Sequence, residues 1–445
     1  MKERLFKIAA AAAMVLCSHS LVAQNYQSGF FLDNNTYSYR FNPAQTGDRT
    51  FVGVGINNVN LSANGNIGIS SLIYPSGNGL VTGLNSAVSS EEFLGNLKDV
   101  NRLAFDLNES VLAFGFKAGE AYHTVEFNIR AGGNASLPKD LFEFLKNGSR
   151  ENPYDLSDVN VSANAFAELA YGYSRSISDN LKVGGRVKAL VGLANMNTQF
   201  NKANMAINEN GISYDVDAAI RFAAPMVQAG ADNTITTDMK IGPSGFGAAL
   251  DLGASLALLD DHLTLSAALL DLGGISWKYN TALTSKGADS FEGAVISTDS
   301  DNMMDDITSS LDKFMSIADF KATNSDESEF GALPCTINLG ARYRIPQVEM
   351  LSVGLLSTVK TGNAGWYDLR AGATVTPVKW FSLACNAGVN SFGTTVGAAA
   401  SITALCANIA LGIESSIGPA ADLGAIKAPL NPFRTMANLG ISFVF

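Results

Sequence analysis

Apolar and polar positions alternate with period two along most of the chain. In "CTINLGARYRI", Cys335, Ile337, Leu339, Ala341, Tyr343 and Ile345 share one face, and Thr336, Asn338, Gly340, Arg342 and Arg344 share the other. "VEFNIR" sets Val125, Phe127 and Ile129 against Glu126, Asn128 and Arg130. "KWFSLACNAGV" sets Phe381, Leu383, Cys385, Ala387 and Val389 against Ser382, Ala384, Asn386 and Gly388. Such alternation predicts strands with one apolar face. A soluble sandwich alternates too, but its strands run about five or six residues. The alternating stretches here are about twice that length, which matches the roughly 9–11 residues a tilted strand needs to cross a bilayer. The polar faces carry small residues and charges, as the lumen of a porin-like barrel does.

The breaks between strands come in two sizes. "SISDN", "DDH", "PQVE" and "TPVK" (176–180, 260–262, 346–349 and 376–379) read as tight turns. Residues 280–332 form a long acidic insert, and 196–245 a second excursion. Tight turns at one end and long connections at the other are the layout of an outer-membrane barrel. Three short helices are predicted. "SSEEFLGNLKDV" has capping-box spacing from Ser89 to Glu92. "PKDLFEFLKNG" opens on Pro138 and closes on Gly148. "DDITSSLDKFMSIA" puts Ile307, Leu311, Phe314 and Met315 on one stripe. All are too short to span a bilayer, and they read as loop helices that cover or gate a barrel mouth. Trp277, Trp366 and Trp380 fall at strand ends, with Tyr171, Tyr173, Tyr279, Tyr343 and Tyr367 in similar places. Rings with a polar tip settle at the lipid–water boundary, and core packing is the alternative.

Composition narrows the class. Charged residues make up 16% of the 445, glycine numbers 42, and the net charge is −11. That balance suits strands and turns and argues against nucleic acid. "MKER" followed by "LFKIAAAAAMVLC" reads as a secretory signal ending at "LVA", residues 1–23. After it there is no apolar run of about 18 residues, which leaves a barrel as the way across a membrane. Cys335, Cys385 and Cys406 lack metal or disulfide spacing and read as small apolar residues.

Enzyme chemistry finds no pattern. His123 and His262 lie far apart, with no His or Cys at ligand spacing. "DSDNMMDD" at 299–306 lacks the glycine and final glutamate of an EF-hand loop. No phosphate-cradling glycine motif or G-x-S-x-G is present. The expectation is a non-enzyme with no metal and no cofactor. The notable charges lie on the predicted lumen face: Glu126, Arg130, Glu168, Arg186, Lys188, Asp251, Arg342, Arg344, Asp368 and Arg370. They either line a solute path or pair with each other and with the plug. On the lipid face an Arg or Lys would cost roughly 2–4 kcal/mol at mid-bilayer. The chain closes on "LGISFVF", whose lipid face is Leu439, Ile441, Phe443 and Phe445.

"YRFNPAQTGDRTFVGVG" places Asn42-Pro43-Ala44 just before the first long strand. Pro43 fixes its own backbone and extends Asn42, making a rigid turn. This element resembles the N-terminal pattern of the long-chain fatty-acid transporter superfamily, the FadL-like barrels. With "VAQ", "LPKDLFEFLKNG" and the terminal aromatic strand, the layout also resembles an uncharacterised Bacteroides-type outer-membrane family. The resemblance implies an all-β, antiparallel transmembrane barrel of about 14 strands (12–16). It implies a plug over 24–50 that includes Asn42, Pro43 and Ala44, and a barrel over 51–445. It implies movement of small hydrophobic molecules across the outer membrane, or else a scaffolding role in secretion or surface assembly. Phe443 and Phe445 resemble the signal read by the barrel-assembly machinery. The partners implied are that machinery, outer-membrane lipid and a hydrophobic ligand.

Overall fold

A computed structural model describes residues 27–445 except 77–78, 149, 151, 209–210, 231–233, 239, 292–319, 363–364, 423–426 and 431. The signal segment and the helix expected in 305–318 lie outside the described residues.

Fourteen antiparallel strands close into one barrel. They are β1 (Phe51–Gly65), β2 (Val100–Ala118), β3 (Ala121–Pro138), β4 (Asn160–Ser176), β5 (Leu181–Asn208), β6 (Gly245–Leu258) and β7 (Leu263–Lys278). There follow β8 (Thr336–Arg344), β9 (Leu351–Lys360), β10 (Trp366–Val378), β11 (Phe381–Asn390), β12 (Gly393–Ala404), β13 (Ala407–Ser416) and β14 (Phe433–Val444). Each pairs with the next, and β14 pairs back onto β1. Closure removes the open edges that a bilayer would not tolerate.

The side chains are distributed inside out. Leu339, Leu355, Leu369, Val389, Ile409, Leu411 and Ile413 are exposed on the outer wall. Arg370, Asp368, Glu414 and Arg434 are buried on the inner face of the same strands or their neighbours. Period two forces this separation, because every second Cβ points to the opposite face of the sheet.

One half of the barrel is tall. β2 to β5 run 17–28 residues, whereas β8 to β13 run 9–13. The excursion expected at 196–245 is largely strand, since β5 continues to Asn208 and pairs there with Gly211–Ala223. Part of the acidic insert is also wall, because Thr281–Phe291 pairs with Gly211–Ala223. Tight turns link β2–β3, β4–β5, β6–β7, β8–β9, β10–β11 and β12–β13 at one end. The opposite end carries the long connections, but it also has the short links 361–365 and 391–392.

Two predicted helices form in those connections. α1 (Ser90–Gly95) is capped by Ser89 Oγ, which accepts the Glu92 N–H at 3.2 Å. α2 (Lys139–Asn147) starts after Pro138 and stops at Gly148, where φ is +72°. Phe144 packs into an apolar cluster with Tyr154, Leu156 and Met205. Phe93 of α1 anchors a neighbouring cluster with Ile67, Tyr74 and Val81.

The tryptophan expectation needs correction. Trp380 is exposed at the tight-turn end, but Trp277 and Trp366 are buried. Trp366 shares the inward phase of Asp368, and its ring carries the Arg434 guanidinium at 3.5 Å. Tyr279 is also buried, whereas Tyr171, Tyr173, Tyr343 and Tyr367 lie on the exposed face. Among the cysteines, Cys385 is exposed on the outer wall, and Cys406 is exposed in the β12–β13 turn.

Candidate functional site: a plugged lumen

The segment before β1 fills the middle of the barrel. It folds as two short 3-10 turns, Gln27–Phe31 and Ser38–Arg40, and is buried over most of its length. A plug made of irregular backbone must satisfy its own polar groups, and here the wall does so. The Phe31 carbonyl accepts from Thr374 Oγ1 at 2.6 Å and Arg342 Nη2 at 3.0 Å. The Phe41 carbonyl accepts from Asn338 Nδ2 at 3.0 Å. Asn42 Nδ2 donates to the Ala254 carbonyl at 2.8 Å, while its Oδ1 accepts the Ala44 N–H at 2.9 Å. Asn42-Pro43-Ala44 is therefore a turn seated on β6, with the Asn side chain holding both its own backbone and the wall.

Wall glycines make room for the plug. A Cβ on Gly184 would lie 2.4 Å from the Pro43 carbonyl oxygen and 2.7 Å from the Ala44 nitrogen. A Cβ on Gly253 would lie 2.0 Å from Asn42 Oδ1. Gly340 and Gly372 receive Phe30 and Phe31 in the same manner. Phe30 and Phe31 meet edge to face at 5.3 Å and form an apolar centre with Leu32, Phe41, Leu356 and Met436.

Charges fasten one end of the plug. Arg40 Nε meets Glu126 at 2.9 Å, and Glu126 also pairs with Arg186. Arg186 continues to Asp251 at 3.2 Å, and Asp251 to Lys188 at 2.7 Å. Lys188 continues to Asp271 at 2.6 Å, Asp271 to Arg130 at 2.8 Å, and Arg130 to Glu168 at 3.0 Å. Four cations and four anions alternate in one buried chain. Burying any one of them unpaired would cost several kcal/mol, so the balance is what makes the arrangement tolerable. Asp271 enters through a bulge that sets Leu270 and Asp271 against Asp251, and its φ is +62°.

A second chain lies on the far wall. Glu414 meets Arg370 at 3.1 Å, Arg370 meets Asp368 at 3.0 Å, and Asp368 meets Arg434 at 3.3 Å. Among the described residues, the plug joins it only through neutral groups. Ser28 Oγ donates to Glu414 Oε1 at 2.7 Å, and Arg434 Nη2 donates to Gln27 Oε1 at 3.0 Å. Eight of the ten predicted lumen charges thus sit in these two chains. Arg342 pairs instead with Asp33 of the plug. Arg344 is exposed at the end of β8 and joins neither chain, because β8 ends there in a turn. Sequence reasoning missed Arg40, Asp271, Glu414 and Arg434, and also the Lys360–Asp106 pair at 2.9 Å, which links β9 to β2.

The wall is interrupted beside the plug. Between Val52 and Asn58, five residues of β1 face only Ile441 and Ser442 of β14. Gly55 there has φ +76°, and Val54 and Ile56 are exposed on the outside. Tyr37 closes the gap from within. Its hydroxyl donates to either Asn57 Oδ1 at 2.9 Å or the Ile441 carbonyl at 3.0 Å. Behind it, the rings of Tyr39, Phe51 and Tyr122 cluster around Ala113. A cavity of about 40 Å³ remains higher in the lumen, between Gln27, Phe41, Arg130, Asp271 and Asn338. That is room for a water or two. Among the described residues, no group of His, Cys, Asp and Glu could hold a metal ion.

The model of the "Family of unknown function (DUF5723)" matches residues 43–413, and the chain belongs to that family. No curated protein matches. Among solved structures, the chain is similar to the Pseudomonas putida toluene transporter TodX, at 10% identity and TM-score 0.46, over 96% of this chain and 94% of that one. It is similar to the Ralstonia pickettii toluene transporter TbuX at 9% identity and TM-score 0.45, over 91% and 92%. A Pseudomonas aeruginosa FadL homologue matches at 11% identity and TM-score 0.41, over 96% and 98%.

Proposed function

We propose that this chain is an outer-membrane barrel that conducts small hydrophobic molecules and is closed at rest by its own N-terminal plug. One observation carries the reading: the break in the β1–β14 ladder, stoppered by Tyr37 and backed by an aromatic cluster. A polar lumen is a poor path for an apolar solute. An aromatic recess that opens sideways onto the lipid-facing wall is a good one. The exposed Leu, Ile and Val of the outer wall support lipid as its solvent. The reading includes export through residues 1–23 and kinship with Bacteroides-type outer-membrane proteins. It also includes use of Phe443 and Phe445 by the barrel-assembly machinery, and no catalysis.

Uptake of a labelled fatty acid into liposomes tests it. The purified barrel should raise uptake over empty liposomes, and Tyr37→Ala should raise it further. Uptake equal to that of empty liposomes for both proteins overturns the reading. A second reading, a structural barrel in a surface assembly, is favoured by the Lys360–Asp106 pair that ties β9 to β2. That reading requires a partner that co-purifies and a lumen sealed to ions.

A further inference from the structure

We propose that the outer wall at the β3–β4 hairpin base carries a binding site for a zwitterionic aminophospholipid headgroup. On β4 the outward residues are Leu169, Tyr171, Tyr173 and Arg175, alternating with the buried Ala170, Gly172 and Ser174. Successive members lie about 6.8 Å apart along the strand. The column passes from aliphatic, to aromatic with a hydroxyl, to charged. This ordering sets the lipid–water boundary near Tyr173.

The neighbouring strands complete a recess of rings around that level. His123 of β3 is the cross-strand partner of both Tyr173 and Phe116. Its ring stacks on Phe116 with centroids 5.1 Å apart, and meets Tyr173 edge-on at 5.5 Å. Phe114 stacks on Phe116 at 5.1 Å. His123 Nδ1 lies 2.8 Å from the Tyr171 hydroxyl, which holds the imidazole in place. Among the described residues, its other ring nitrogen makes no hydrogen bond.

The charges at the rim decide the ligand. Arg175 Nη2 meets Glu120 Oε2 at 2.6 Å, with side chains 50% and 78% exposed. Arg175 belongs to the strand, whereas Glu120 sits in the β2–β3 turn, one position farther from the membrane. The cation is therefore anchored on the deeper backbone position of the two, and the anion on the shallower. An ethanolamine headgroup has the opposite order, with its phosphate next to the acyl chains and its ammonium farther out. Phosphate would meet Arg175 and the free His123 nitrogen, and the shallower ammonium would meet Glu120. An exposed ion pair is worth about 0–1 kcal/mol, so exchanging it for two headgroup contacts carries little penalty. A purely anionic headgroup would offer Glu120 hydroxyl hydrogen bonds at most, with no cation to pair its charge.

Native mass spectrometry of the purified full-length barrel, equilibrated with equal phosphatidylethanolamine and phosphatidylglycerol, tests the site. The wild type should retain the ethanolamine lipid over the glycerol lipid by roughly tenfold. Glu120→Gln should erase that preference, and Arg175→Gln should reduce retention of both lipids. Heat-dependent gel migration checks that each variant is folded, and neither residue touches the plug or the lumen chains. Equal retention by the wild type, a preference for the glycerol lipid, or variants that behave as wild type would each overturn the site.

Discussion

The two charge chains inside the barrel hold the plug in different ways. The chain across β3 to β7 is balanced only when Arg40 of the plug is counted, since Arg130, Arg186 and Lys188 alone face Glu126, Glu168, Asp251 and Asp271. The chain on β10, β13 and β14 is balanced by the wall itself, two cations against two anions. There, among the described residues, the plug adds only Ser28 and Gln27. The lesson is a division of labour along one short segment. Residues near Arg40 cannot leave without leaving one buried negative charge unbalanced, whereas residues 27–28 can detach and leave a neutral set of charges behind. If the plug moves, it moves from its first turn, not from Arg40.

The sharpest way to break this contrast is Arg40→Met. It should destabilise the barrel by about 3–5 kcal/mol, read by urea unfolding in detergent, because Glu126 loses a direct partner. Next is Gly184→Val, which pushes side-chain carbon into the Pro43–Ala44 backbone. It should cost about 1–3 kcal/mol and expose residues 42–46 to limited proteolysis. Ser28→Ala removes one hydrogen bond to Glu414 while the Ser28 N–H still donates to it at 2.5 Å. Its cost should be near 1.5 kcal/mol, with the Arg40 end unchanged in hydrogen exchange.

Much of this was legible in the sequence. Glu126 and Arg130, or Asp368 and Arg370, fall in phase on alternating strands, and period two alone assigns them to the lumen. Arg434 and Glu414 obey the same phase relative to Asn438 and Asn408 and could have been read in the same way. Asp271 could not. It lies in "ALLDLGG", where a bulge with positive φ resets the alternation, and only the folded backbone reveals which way it points. Arg40 was hidden for a different reason. The plug has no periodicity, so no pattern pairs it with a residue 86 positions away. The exposed Arg344 shows the reverse error, since phase continues on paper where the strand has already ended.

The smallest expected effect lies outside the lumen and serves as the control. Burial raises the Asp140 pKa, but hydrogen bonds from Arg150 and from the Asp155 N–H outweigh it and hold the carboxyl below its ordinary value. A lowered folded-state pKa contributes stability above the unfolded carboxylate range, and that contribution is lost as pH falls through the folded value. Asp140→Asn should therefore cost under about 1 kcal/mol at neutral pH and nothing in strong acid. Unfolding measured at the two pH values checks this.

The account stands most directly on the claim that Arg40 completes a shared chain of charge. A double-mutant cycle of Arg40→Met with Glu126→Gln, followed by urea unfolding, measures it. The prediction is strong coupling, with the double variant recovering most of the roughly 3–5 kcal/mol lost by Arg40→Met alone. Additive losses, with the double variant weaker than the wild type by the sum of the two single losses, would contradict it.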